Sequence, residues 1–369
     1  MITTIDILQA EATANQYIFN FVLMNIVFFL CCIFRNDRKE HTITWLLFLV
    51  FCLYAYWGSD YFSFRAEVFS PDFKNFRDPL YYYLKLISFD SYTIFRLFVW
   101  GGAMLFYAKS LDNFKIPLNI SIFIFAVFYL LTFSFGRISL GACLYFYGLS
   151  LLLSVERRNV LNRVIGIIFI VCSYWGHRAM ILPIVLTPLI ILKPNRIQVA
   201  AIIVIGLIAG RSMAPFLSEL IAGDIELGTN LAAEEALLGY ASVEIEEVMN
   251  WKFELTSKLR WYSIYILLAY CVWKCFYSKY RNVVPMNIKR LIVVCLGIFL
   301  IAFSLQQIDK LGPSEMGERF LFILGVPLTM ILAFLRKENY CSQKTMFLLL
   351  FLAFVYAEGF IFGKILSFY

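Results

Sequence analysis

The sequence predicts an all-α, polytopic integral membrane protein of about twelve transmembrane helices with two long outward-facing loops. Three observations predict it. The 369-residue chain is 61% hydrophobic, 18% aromatic and only 15% charged, with mean hydropathy +0.77, where a soluble domain carries roughly a quarter charged residues. Its apolar residues fall in repeated blocks of about 15–20, the length that crosses a hydrocarbon core. The loops between blocks alternate between basic and mixed charge, the bias that orients helices in a bilayer.

Taken in order, the chain opens on MITTIDILQAEATANQ, which has no basic start and no early apolar run, so no cleavable signal peptide is expected. Twelve spans follow, at 17–34, 42–57, 91–108, 118–135, 138–154, 162–176, 178–192, 197–213, 261–278, 290–305, 319–335 and 345–366. The second, sixth and seventh are short enough to be tilted or broken. Alternate loops collect 18 basic residues, from Arg35 to Lys344, against 5 acids: Asp37, Glu40, Asp112, Glu156 and Glu338. Those loops are therefore read as cytoplasmic and both termini as outward. The whole chain, 1–369, is read as one transmembrane domain.

The outward side then holds the two long loops. The first, 58–90, mixes aromatic, basic and acidic residues. Its tail, Pro79–Phe89, places Leu80, Tyr83, Leu84 and Ile87 at helical spacing with Lys85 opposite, which predicts a short interfacial helix. The second, 214–260, is strongly acidic and includes an amphipathic stretch, Glu234–Val248, that reads as a solvated helix.

Chemistry is expected around Ser173–Pro194, SYWGHRAMILPIVLTPLIILKP. His177, one of two histidines in the chain, stands beside Arg178 between two apolar segments. An imidazole and a guanidinium at membrane depth are costly, which favours a functional role over a simple interfacial turn. Isolated arginines gather on the same outward side: Arg65 and Arg77 in the first loop, Arg96 inside the third span, Arg137 at a turn, Arg211 closing the eighth span, Arg260 opening the ninth and Arg319 opening the eleventh. Positive-inside bias does not account for them. Their planar, permanently charged forks suit the oxygens of a phosphate-bearing lipid. Asp60, Glu67, Asp72 and Asp78 are the counter-ions that would make some of them structural. Tyr61, Tyr81, Tyr82, Tyr83, Tyr174 and Trp175 suit either stacking on sugar rings or an interfacial aromatic belt.

Other classes find no support. There is no Gly-rich phosphate loop, zinc spacing or nucleophile elbow. The nine cysteines lie almost wholly in apolar blocks and avoid both long loops, so no disulfide framework is expected, and Cys271 with Cys275 read as packing residues. The net charge of +7 arises from loop bias and gives no basic domain for nucleic acid.

Four pieces of this pattern carry a likeness: Asp60-Tyr61 with Asp78-Pro79-Leu80-Tyr81-Tyr82; Arg137-Ile138-Ser139-Leu140-Gly141-Ala142; His177-Arg178-Ala179-Met180-Ile181-Leu182-Pro183; and Arg319-Phe320. In this order, over roughly residues 55–335, the chain resembles the Wzy/EpsG family of O-antigen and exopolysaccharide polymerases. Asp78 stands where that pattern often has Glu, and Gly141 where it often has Ala.

The resemblance implies a glycosyltransferase-C-like membrane architecture in the bacterial inner membrane, with the site facing the periplasm. It implies transfer of a growing glycan from undecaprenyl pyrophosphate to the non-reducing end of a lipid-linked repeat unit, without metal or cofactor. The lipid-linked oligosaccharide would be both donor and acceptor, and a chain-length regulator and a flippase would be partners. It casts His177 as base on the acceptor hydroxyl, with Asp60 and Asp78 as alternative bases and Arg137 beside the pyrophosphate. Arg65, Arg77, Arg96, Arg178, Arg211, Arg319, Tyr61 and Tyr81 would contact substrate. Two other readings remain open: an O-antigen ligase, and a transporter or flippase of an anionic lipid-linked glycan.

Overall fold

The structure, a computed structural model, describes residues 79–89, 91–116, 136–154, 159–208, 251–307 and 311–342, with isolated residues outside these stretches. All regular structure among them is helical. The expected spans 17–34, 42–57, 118–135 and 345–366 lie outside these stretches, as does Glu234–Val248. The chain, expected as one domain, divides into two compact units, Met1–Ile184 with Thr329–Tyr369, and Val185–Leu328.

The first unit opens with α1, Pro79–Ile87. Proline suits a first helical position, since the amide it lacks would have no partner there. The helix stops where Ser88 turns back on the Lys85 carbonyl and Phe89 takes φ 51°, and Ser91 caps the next helix by accepting from the Ile94 amide. The predicted apolar face is only partly right. Tyr81 is the residue that packs inward, while Tyr83, Leu86, Ile87 and Phe89 are exposed.

Helix α2 runs Tyr92–Asn113, with a π-helical turn at Leu97–Gly101 immediately after Arg96. Helices α3 (Gly136–Leu153) and α4 (Val160–Gly176) form the tightest pair of the unit. Asn159 caps α4 through its Oδ1 on the Leu161 amide. The inward face of α4 is Gly166, Ile170, Ser173 and Gly176, at helical spacing. Its outward face, Val164, Ile167, Ile168, Val171 and Trp175, is an exposed apolar stripe of the kind a membrane helix turns to lipid. Three rings, Phe106, Tyr147 and Phe169, tie α2, α3 and α4 together at centroid separations of 4.9–5.5 Å.

The seventh expected span, 178–192, is broken as its length suggested. A 3₁₀ turn (Arg178–Met180), a short α5 (Ile181–Leu186) and a second 3₁₀ turn (Thr187–Ile191) share it. Pro188 has no amide to donate and its ring crowds the preceding turn, so α5 cannot continue.

In the second unit, α6 (Arg196–Ile208) begins at Asn195, whose Oδ1 accepts from the Ile197 and Gln198 amides. Helix α7, Trp251–Val272, ends in a π turn at Trp273–Tyr277. Helix α8 is Met286–Leu305, and α9 is Leu311–Lys337, which continues past the unit boundary and carries Pro327 internally. Gly206 and Gly297 let α6 and the Leu186–Leu189 turn close on α8. Tyr265 hydrogen-bonds Gln306 and packs edge-on against Phe299.

Two boundaries differ from expectation. Helix α7 starts ten residues before 261, so Trp251–Lys258, expected in the acidic loop, is helical. Helix α9 likewise starts eight residues before Arg319. Helix ends follow backbone hydrogen bonding, not hydropathy, so polar first turns are missed when spans are drawn from apolar blocks. Three helices, Tyr92–Asn113, Met286–Leu305 and Arg319–Lys337, are long and apolar enough to cross a membrane.

Candidate functional site

Three sequence-distant pieces of the pattern meet at one end of the first unit. The contact is made possible by glycine. A Cβ on Gly176 would stand 3.0 Å from the Cα of Gly141 and 3.7 Å from Cδ2 of Leu80. A Cβ on Gly141 would stand 3.4 Å from the amide nitrogen of His177 and 3.1 Å from the Met180 side chain. The Pro79–Tyr82 segment, the N-terminal part of α3 and the His177 turn are thereby stacked on one another. Arg137 sits in the first turn of α3, one turn before Gly141, and so at this same end.

His177 is held on three sides. Its backbone is extended (φ −166°, ψ 131°), ending α4 and opening the 3₁₀ turn. Its amide donates to the Ser173 carbonyl at 3.1 Å and its carbonyl accepts from the Met180 amide at 2.9 Å. Its ring Nδ1 accepts from the Ala179 amide at 3.0 Å. The ring is half-buried, Met180 is buried and Arg178 is exposed. Below the turn, the Tyr145 hydroxyl donates to the Pro183 carbonyl at 2.7 Å, fixing α5 to α3.

Arg96 lies in the same unit and is 2% exposed. Its guanidinium carbon is 6.0 Å from the centroid of Tyr92 and 5.6 Å from that of Trp100, one turn before and one turn after it. Phe95 connects this group to α1, stacking on Tyr92 at 6.2 Å and meeting Tyr81 at 6.1 Å. In the sequence Tyr92 and Trp100 stand at i−4 and i+4 from Arg96, the spacing that puts all three on one helix face.

Two residues expected at the ligand are buried. Tyr81, expected to stack on a sugar, is fully enclosed and packs against Phe95. Arg96 is enclosed beside the Tyr92 and Trp100 rings. The tract Tyr81-Tyr82-Tyr83 has three equivalent rings on paper, and only the docking of α1 decides that Tyr81 turns in and Tyr83 out. Arg319 lies in the second unit, two turns inside α9, not at its start, and is half-exposed. Arg260 is the tenth residue of α7. Asp60, Tyr61, Arg65, Arg77, Asp78 and Arg211 fall outside the described residues. Tyr174 and Trp175 are exposed on the outward side of α4, continuous with its apolar stripe, which fits the aromatic-belt reading.

Among the described residues no three His, Cys, Asp or Glu side chains gather as a metal site requires. A groove of about 460 Å³ in the second unit is apolar, lined by residues such as Leu192, Ala201, Ile202 and Ile205, and offers only Gln198 as a polar group. No protein-family model, no curated protein and no solved structure matches this chain.

Proposed function

We propose that this chain is a membrane glycosyltransferase that polymerises lipid-linked oligosaccharide repeat units. One observation carries the reading: the Pro-aromatic segment, the Arg-led glycine-containing span and the lone-histidine turn, separate in sequence, share one end of the first unit through the Leu80, Gly141 and Gly176 contacts. The residues suit the chemistry. In the transfer, the bond from the sugar anomeric carbon to the donor pyrophosphate breaks, and a bond to an acceptor hydroxyl oxygen forms. The hydroxyl proton passes to a base, and lipid pyrophosphate leaves carrying the released charge.

A donor that is already a lipid pyrophosphate needs no nucleotide pocket. Arginines, among them Arg137 in the first turn of α3 and Arg178 in the His177 turn, supply positive charge for the leaving group. The base is drawn from His177, Asp60 and Asp78. Twelve spans, with the site on the outward face of a bacterial inner membrane, complete the proposal.

The test is the surface glycan ladder of a strain lacking the gene. A polymerase mutant shows core plus a single repeat and regains the ladder on complementation; bare core would identify a ligase, and an unchanged ladder would remove both readings.

A further inference from the structure

We propose that one end of the second unit binds an anionic glycerophospholipid, its phosphate at Lys193, Arg196 and Arg290 and one acyl chain in the apolar groove along α6. The inference does not rest on the polymerase reading. Every residue it uses lies within this unit, and none belongs to the His177 turn.

The charge is the first observation. Segments 192–206 and 273–290 contain no Asp or Glu, yet they hold Lys193, Arg196, Arg281, Lys289 and Arg290. Loop bias requires only that such residues share one side of a membrane, and like charges left alone would spread apart. The fold draws them together instead. Arg290 donates from Nε to the Leu192 carbonyl at 3.0 Å, which sets its guanidinium at the backbone next to Lys193. The Tyr277 hydroxyl donates to the Arg196 carbonyl at 2.8 Å, and Lys289 Nζ donates to the Arg281 carbonyl at 2.6 Å. Among the described residues none of these cations meets a carboxylate. Lys193 and Arg196 are exposed, so a phosphate can reach them.

The groove starts at these same cations. Leu192 and Pro194 line it on either side of Lys193, and Ala201, Ile202, Ile205 and Gly206 continue it along α6. Gly206 stands ten residues after Arg196, about 15 Å of helix. That is half of a hydrocarbon core of roughly 30 Å, the depth of one leaflet. The groove ends where Leu300 packs on the bare Gly206 backbone. Cations at the mouth of an apolar trough one leaflet deep match an amphiphile with an anionic head. A free phosphate would leave the trough empty.

Native mass spectrometry of the full-length protein in mild detergent tests the site, with phosphatidylglycerol and phosphatidylcholine of the same acyl chains added in equal amounts. Phosphatidylglycerol is expected to be retained in clear excess. The double variant Lys193→Gln/Arg196→Gln is expected to bind it about 25-fold more weakly, about fivefold for each charge removed. Ala201→Trp fills the groove from an exposed position and is expected to weaken binding about tenfold. Val204→Trp, exposed on the same helix but outside the groove lining, should bind like the parent.

Equal retention of the two lipids, an unchanged double variant, or an Ala201→Trp protein that binds like Val204→Trp overturns the proposal. Displacement by millimolar glycerol 3-phosphate also overturns it, since the cations would then serve a free phosphate. Preference for undecaprenyl phosphate over phosphatidylglycerol overturns it as well, by making the groove a seat for a polyprenyl carrier. An unchanged glycan ladder in the deletion strain would remove the polymerase reading and leave each of these outcomes as decisive as before.

Discussion

Gly141 and Gly176 touch through their backbones: a side chain on Gly176 would begin 3.0 Å from the Gly141 Cα and 3.2 Å from its nitrogen. This contact brings the end of α4 against the first turns of α3, and the His177 turn leaves α4 directly from it. A second close approach lies further along the pair, where a Cβ on Gly148 would stand 2.5 Å from the Gly166 carbonyl oxygen. Small residues at such crossings let helix backbones approach, which is how membrane helices gain packing without a hydrophobic drive between them.

The glycine contacts predict an order of stability losses. Gly148→Ala meets backbone, which cannot move aside, while Gly206→Ala meets the flexible tip of Leu300. Alanine is the better helix former by about 1 kcal/mol, so only the clash decides the sign. Gly148→Ala is expected to cost about 1–3 kcal/mol, and Gly206→Ala less. Detergent-denaturation curves of the two purified variants check this, and the reverse order would contradict the close approach of α3 and α4.

Tyr145→Phe removes the donor to the Pro183 carbonyl while keeping the buried ring. A loss of about 1–3 kcal/mol is expected, with earlier protease cleavage around the 178–191 segment. Tyr83→Phe, at an exposed position, serves as the control and should unfold like the parent. Equal behaviour of the two variants would mean the Tyr145 hydroxyl does not hold α5.

The proposed topology places Arg158 and Glu235 on opposite sides of the membrane, since the loop holding Arg158 is basic and that holding Glu235 is acidic. Reporter fusions ending after each residue are expected to give opposite signals. The same signal from both would remove the twelve-span arrangement.

Arg137→Lys is expected to shorten the polymer sharply at unchanged protein level. Lysine keeps the charge but loses the planar fork that binds two phosphate oxygens at once. Normal chain length in this strain would leave Arg137 without a role at the pyrophosphate. His177→Ala, Asp60→Asn and Asp78→Asn are the substitutions that identify the base, and one of them is expected to abolish transfer.

Much of the helix layout was legible because hydrophobic period is a local property. The block read at 138–154 is the helix Gly136–Leu153, and that read at 162–176 is Val160–Gly176. The short Pro79 helix and the break at 178–192 were legible too, from proline placement and length. The extensions at 251–260 and 311–318 were not, because Lys252, Glu254, Lys258, Glu315 and Glu318 interrupt the apolar pattern without interrupting the backbone ladder.

By itself, then, the sequence determined the all-helical character, the apolar spans that carry it, and the choice of His177 and the scattered arginines as the costly residues to explain. Only the tertiary structure decided that Tyr81 faces inward, that Arg96 is enclosed by Tyr92 and Trp100, and that Gly141 lies on Gly176. It also decided that the Ala179 amide meets Nδ1 of His177. The physical reason is that these facts depend on which backbone atoms from distant parts of the chain come within van der Waals or hydrogen-bond reach. Periodicity along one helix carries no record of that distance.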